Sequence, residues 1–254
     1  MKLAPIRVVV AAAFAVAGLA AQAAPVSVSY TGLAPGGVAV TVGATNLNTN
    51  DFVTALAGTM KLTVDSEALL SYCVELTQYA HGNSLNYYFS DAASHFTSRY
   101  APDLAAETLA AGRLGRLFTH LATVADTGVG FVIGAPSTAL IGAAIQLAVW
   151  ESIYEDDGSG HDDPLSLGSG RFQQTRDAAD SNSAEGLANG YLGGAASVTD
   201  IRYAIDVLYN DRKQDYLVIT RLPEQTSRVP EPASLALVAA ALAALGFTTR
   251  RRCA

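Results

Sequence analysis

The segment from Leu140 to Ile153 constrains this chain most, because it has no polar face on which to meet water. Its residues Leu140, Ile141, Ala143, Ala144, Ile145, Leu147, Ala148, Val149, Trp150 and Ile153 are distributed all round the axis when stepped at ~100° per residue. A helix of this kind has to be enclosed on most sides by other elements. It is expected to begin near Ser137, just after Pro136, and to run to about Tyr154.

The segments that enclose it read largely as strands. Val26, Val28 and Tyr30 alternate with small polar residues, and so do Val38, Val40 and Val42 after Pro35-Gly36-Gly37. Met60 to Val64 alternates again, and Leu69 to Leu76 reads as a further strand. In that strand Ser71, Cys73 and Glu75 share one face, and Tyr72, Val74 and Leu76 the other. A second helix follows Pro102-Asp103, with Leu104, Ala111, Leu114, Leu117, Phe118 and Leu121 at helical spacing. His120 falls near its end, where a cation suits the helix dipole. Weak helical character is expected from Arg171 to Ala188, then strands over Ala204–Tyr209 and Tyr216–Thr220. Strands at both ends of the body with helices inserted between them predict an α+β domain, β-sandwich-like, with an inserted helical region.

Both ends of the chain are patterned differently from this body. Lys2 and Arg7 precede an apolar run from Val8 to Ala20 and then Ala21-Gln22-Ala23. These are the three parts of a cleavable secretory signal, with cleavage expected after Ala23 or Ala24 by signal peptidase. At the other end Val229-Pro230-Glu231-Pro232 precedes the apolar stretch Ala233 to Phe247 and then Arg250, Arg251 and Arg252. A hydrophobic segment followed by three arginines reads as a stop-transfer element, although the segment is short for a lifelong membrane anchor. The division expected is therefore 1–24 signal peptide, 25–228 extracellular body and 229–254 tail.

The tail's three parts, in this order and spacing, resemble the PEP-CTERM sorting signal of Gram-negative, exopolysaccharide-producing bacteria. The resemblance implies export and processing near Pro230-Glu231-Pro232 by an exosortase-type membrane protease. The segment would hold the protein in the membrane before that step, and the protein would reach the cell surface or extracellular matrix.

Half of the residues are hydrophobic and 15% are charged, so a body of about 200 residues can build a real core. Of the sixteen basic residues five lie in the end segments, and of the 23 acidic residues only Glu231 does. The body thus holds 11 basic and 22 acidic residues, a net charge of −11, which argues against nucleic acid as a partner. The four histidines show no metal-ligand spacing. The acidic stretch Asp156-Asp157-Gly158-Ser159-Gly160-His161-Asp162-Asp163 reads as a solvated loop. Asp156, Asp157 and Asp162 are its candidate calcium ligands, without the EF-hand spacing. Neither a cofactor nor an enzymatic activity is expected.

Two residues of the body call for an account. Cys73 is its single cysteine, because Cys253 belongs to the tail, and a leftover thiol in an exported domain is a liability. An intermolecular disulfide, an inert buried thiol or a chemically committed thiol would each answer it. Gln146 sits within the apolar helix with no polar neighbour on its own side, and an unpaired buried amide costs on the order of 1–3 kcal/mol. A thiol that attacks a glutamine amide with loss of ammonia gives an internal thioester, which would account for both residues at once.

Tyr72-Cys73-Val74 and Ile145-Gln146-Leu147-Ala148-Val149-Trp150 resemble the two signature segments of bacterial surface thioester domains. The resemblance implies a Cys73–Gln146 thioester, supported by Tyr72 and Trp150, that attaches covalently to an amine or hydroxyl on a surface polysaccharide or protein. That family is best known from Gram-positive adhesins with a wall-sorting tail, whereas the tail here resembles the PEP-CTERM signal. Two other readings remain open: a passive matrix or carbohydrate-binding module with an inert Cys73, and a cysteine hydrolase using His81 or His95 as base.

Overall fold

In the computed structural model, residues 24–44, 52–76, 78–99, 104–124, 136–155, 165–175 and 179–223 are described. They form an antiparallel sheet wrapped around a helical layer. The strands are β1 (Val26–Ala44), β2 (Val53–Val64), β3 (Glu67–Ser71), β4 (Leu85–Asp91), β5 (Phe172–Thr175), β6 (Tyr203–Asn210) and β7 (Lys213–Arg221). The helices are α1 (Ala92–Arg99), α2 (Leu104–Leu121), α3 (Ala139–Tyr154) and α4 (Ala179–Ala196). The architecture is α+β, with strand groups at both ends of the body and the helices inserted between them.

The strand order is β3-β2-β1-β4-β6-β7, with β5 paired to the far half of β1. β1 is long enough to serve three partners. Val28 to Val42 pair with β2, Val26–Val28 with β4, and Thr41–Ala44 with β5. The two outermost strands, β3 and β7, do not stay apart. Beyond Ser71 the chain continues alongside β7, where Leu217 N–H donates to Tyr72 O and Val74 N–H to Asp215 O, each at 3.0 Å. These two bonds bracket the facing pair Cys73 and Tyr216, as in an antiparallel ladder. The Ser71 hydroxyl adds a bond to Leu217 O at 2.6 Å. The sheet thus closes on itself, barrel-like, along a seam at Ser71–Val74.

α3 is the buried helix expected from its apolar circumference. Thr138 caps it by accepting the Ile141 N–H at 3.2 Å, and every residue from Gly142 to Tyr154 is buried. It packs against β1 and β2 on one side and α2 and α4 on the other. Gly142 permits the close approach to β2, because a Cβ there would meet the Thr59 main chain and Pro136. In α2, Leu114, Leu117, Phe118 and Leu121 face the same core. Pro102 and Asp103, the expected start of α2, lie outside the described residues, as do the signal segment, the acidic loop and the tail.

Two expectations are corrected. The strand read over Leu69–Leu76 is β3 only as far as Ser71, after which the chain changes partner from β2 to β7. The weak helix read over Arg171–Ala188 is the short strand β5 followed by α4, which begins at Ala179. Phe172 and Gln174 alternate inward there, a period-2 signal too short to register alone. β4 runs directly into α1, which Asp91 caps by accepting the Ser94 N–H at 2.9 Å.

The link into β5 depends on a glycine. Gly170 has φ +99°, and a Cβ there would overlap the Glu155 carboxylate, which accepts the Phe172 N–H at 2.8 Å. Gly170→Ala is expected to lower stability by about 2 kcal/mol in urea unfolding. Gly186→Ala, which faces open space in α4, is expected to be neutral or stabilising. Equal effects at the two positions would show that residue 170 does not need this conformation.

Candidate functional site

The seam and the buried helix meet at two of the residues singled out in the sequence. Cys73 N–H donates to Gln146 Oε1 at 2.8 Å, and Gln146 Nε2 donates to Cys73 O at 2.9 Å. The amide therefore lies flat against the Cys73 main chain, both its polar ends satisfied, within an otherwise apolar helix. Gln146 is 1% exposed, so the orphaned amide anticipated from the sequence has found its partner 73 residues away. Further along α3 the Tyr154 hydroxyl donates to Val74 O at 3.2 Å, a second point where the helix holds the seam.

Tyr72 and Trp150 flank the pair. Tyr72 is buried, with its hydroxyl accepting from Thr59 at 3.1 Å and its ring tilted on Phe118 at 5.7 Å. Burial, chiefly, raises the Tyr72 hydroxyl above its ordinary pKa, so it stays neutral. Trp150 lies one helical turn beyond Gln146, also buried, with its ring 6.5 Å from Phe172.

Cys73 is a free, partly exposed cysteine that packs against both apolar clusters of the protein. Desolvation within the fold, then the charge of Glu75, push its thiol up to about 12. The groups around it are tyrosines and one carboxylate. Burial raises Tyr30, Tyr87 and Tyr216 alike, Tyr87 to about 12. The rings of Tyr87 and Tyr216 lie 5.6 Å apart, and the Tyr87 hydroxyl donates to Gln214 O at 3.1 Å.

A buried polar network backs the seam, and sequence reasoning missed it. Glu75, 5% exposed, accepts the Asp215 N–H at 3.0 Å through Oε2 and Gln78 Nε2 at 2.8 Å through Oε1. Asp215, fully buried, accepts the Asn210 N–H at 2.7 Å, and His95 Nε2 stands 3.0 Å from its other oxygen. The available signal was Glu75, a carboxylate two residues from Cys73 on the same strand face. His95 thus turns this nitrogen to Asp215, while His81 Nδ1 accepts the Asn83 N–H at 3.3 Å. His120, in the last turn of α2, is partly buried, which lowers its pKa and favours the neutral ring over a cation at the dipole.

Along β4 Tyr87 is buried, whereas Tyr88 and Phe89 are exposed. Among the described residues no group of three or more His, Cys, Asp or Glu is placed to hold a metal ion. The calcium candidates Asp156, Asp157 and Asp162 lie outside the described residues. So do Pro230, Glu231, Pro232, Arg250, Arg251 and Arg252. No helix among the described residues is long and apolar enough to cross a membrane.

No curated protein sequence matches the chain. Among solved structures it is similar to the N-terminal domain of the Streptococcus pyogenes pilus tip adhesin Cpa, at 13% identity and a TM-score of 0.42. That alignment covers 80% of this chain and 97% of the adhesin domain. Residues 228–252 match the PEP-CTERM protein-sorting motif, the segment in which Pro230-Glu231-Pro232 and the three arginines stand in sequence. The chain therefore carries a PEP-CTERM sorting tail, which marks it as an exported protein sorted to the cell surface by exosortase.

Proposed function

We propose that this exported protein is a non-enzymatic surface or matrix component of a Gram-negative bacterium that forms an internal thioester between Cys73 and Gln146. The thioester attaches the protein covalently to an amine or hydroxyl on a surface polysaccharide or protein. The observation that carries this reading is the reciprocal pairing of the Gln146 amide with the Cys73 main chain. It holds the acyl carbon beside the residue that bears the thiol, the proximity such a reaction needs. The Cys73 N–H also points at Gln146 Oε1, the oxygen on which negative charge develops when sulfur adds to Cδ.

The bookkeeping of bonds is simple. The Sγ–Cδ bond forms, the Cδ–Nε2 bond breaks, and the thiol hydrogen leaves with nitrogen as ammonia. An incoming amine or hydroxyl then bonds to Cδ, the Sγ–Cδ bond breaks, and the nucleophile's proton goes to sulfur, which leaves as the free thiol. Apolar surroundings from α3 and the two clusters slow hydrolysis of the acyl group in the interval.

A second reading has one observation in its favour. A thiol pushed up to about 12 by burial is poorly nucleophilic at rest, as expected of an inert cysteine in a passive binding module. Intact mass separates the two readings. The full chain, produced with both end segments and purified after export, is expected to weigh one ammonia less than its processed sequence. Cys73→Ala and Gln146→Ala are expected to have their full sequence masses, and methylamine is expected to add at Gln146 only in the unsubstituted protein. A full sequence mass together with a freely titrating thiol would leave the passive module as the better reading.

A further inference from the structure

We propose that covalent attachment unlatches α3 from the seam at Cys73, because only a primary amide at position 146 can make the pairing seen there. This inference rests on the thioester reading above. It turns on which hydrogen of the amide is in use. Cys73 faces Tyr216 across the seam, and the two bonds to β7 come from the residues on either side of it. Its own N–H and C=O therefore point away from β7 and to the same side, where they meet Gln146 Oε1 at 2.8 Å and Nε2 at 2.9 Å. Both bonds lie along one edge of the planar amide. The hydrogen given to Cys73 O is thus the one on the same side as Oε1.

Opening the thioester with a primary amine forms the N–Cδ bond, breaks the Sγ–Cδ bond and moves one amine proton to sulfur. The product is a secondary amide, and such amides are cis in well under ~0.1% of cases. The trans form carries its substituent, not its hydrogen, on the oxygen's side. The first carbon of the attached molecule would then stand in the 2.9 Å gap between nitrogen and Cys73 O, where a hydrogen alone fits. Attack by a hydroxyl leaves an ester oxygen at that place, which sets an acceptor against an acceptor. Hydrolysis leaves a carboxyl group with the same fault whenever it is ionised. Ammonia, by contrast, restores the amide and its pairing.

The release is confined to one point. Tyr154 still holds α3 to Val74 O, and the Val74 and Leu217 N–H groups still close the seam. Cys73 is partly exposed whereas Gln146 is 1% exposed, so the substituted amide has its way out on the Cys73 side. It turns that way with the molecule it carries and leaves the outward N–H and C=O of Cys73 to water. Attached and unattached proteins then differ in fold at this position.

Two opened forms that differ by a single methyl group test this. The exported full chain is opened with ammonia or with methylamine, each kept in the amine that opened it, and hydrogen exchange is followed at individual amides. Both forms carry the same free thiol. Exchange at Cys73 is expected to be about 10²-fold faster in the methylamine form, with Val74 and Leu217 exchanging alike in both. Cys73→Ser keeps Gln146 and cannot form the thioester, so its exchange is expected to match the ammonia form in either amine. Equal exchange at Cys73 in the two opened forms would overturn the unlatching and leave the thioester intact. So would faster exchange at all three amides, or a cis amide at 146 with Cys73 still protected. Absence of the ammonia deficit in the unsubstituted protein would overturn both.

Discussion

Gln146→Glu is expected to destabilise the protein by about 3 kcal/mol at neutral pH and to abolish any ammonia deficit. The substituted carboxylate still accepts the Cys73 N–H, but it presents an acceptor to Cys73 O where Gln146 Nε2 now donates at 2.9 Å. Two acceptors would then face each other at a site 1% exposed, and burial of the charge adds to the cost. Protonation cures both faults, because a carboxylic acid donates through its hydroxyl and accepts through its carbonyl. The group's folded pKa is therefore raised above its unfolded value. Its favourable contribution is complete below about pH 4.3 and is lost as pH rises through the folded value. Urea unfolding should show the variant close to wild type near pH 4.5 and well below it at pH 7.5. A constant gap across that range would mean that the amide pairing does not hold the helix to the seam.

Glu151→Gln is expected to act in the opposite direction. Glu151 is fully buried in α3, one turn from Glu155, and accepts the Ser166 N–H at 2.6 Å. Burial first, then the Glu155 charge, push its carboxyl up to about 8, against the pull of the Ser166 N–H and Arg113. Because the folded value is raised, the stability it confers is full below about pH 4.5 and is lost as pH rises towards 8. Glutamine keeps an oxygen for Ser166 and has no charge to bury. The variant is expected to match wild type near pH 5 and to exceed it by on the order of 3 kcal/mol at pH 8. Stability curves that run parallel with pH would show that Glu151 is ionised in the native protein.

Much of this architecture was readable from the chain because its signals are local. The apolar circumference of α3 required enclosure, and the alternation in β1, β6 and β7 named the strands that provide part of it. Gln146 stood out as an amide in need of a partner. Cys73 was expected as its partner through the thiol, whereas the contact the fold makes is with the Cys73 main chain, which carries no side-chain signature. The seam was hidden for a related reason. Ser71 and Leu217 are 146 positions apart, and nothing in the strand pattern near Ser71 marks the change of partner from β2 to β7. β5 is four residues long and gains its identity from pairing with β1. Glu151 carried no sequence signal of its burial, which comes from the turn at Ser166 folding over it.

The closed seam also has a consequence for timing. Its two sides come from the first third of the chain and from the last strand before the sorting tail. A chain threaded through an export channel amino terminus first cannot close the seam until Leu217 has emerged. Cys73 therefore spends the whole passage without β7 beside it and without Asp215 to order Glu75. Assembly of the complete site is deferred to the side on which the protein works, after most of the body has already crossed.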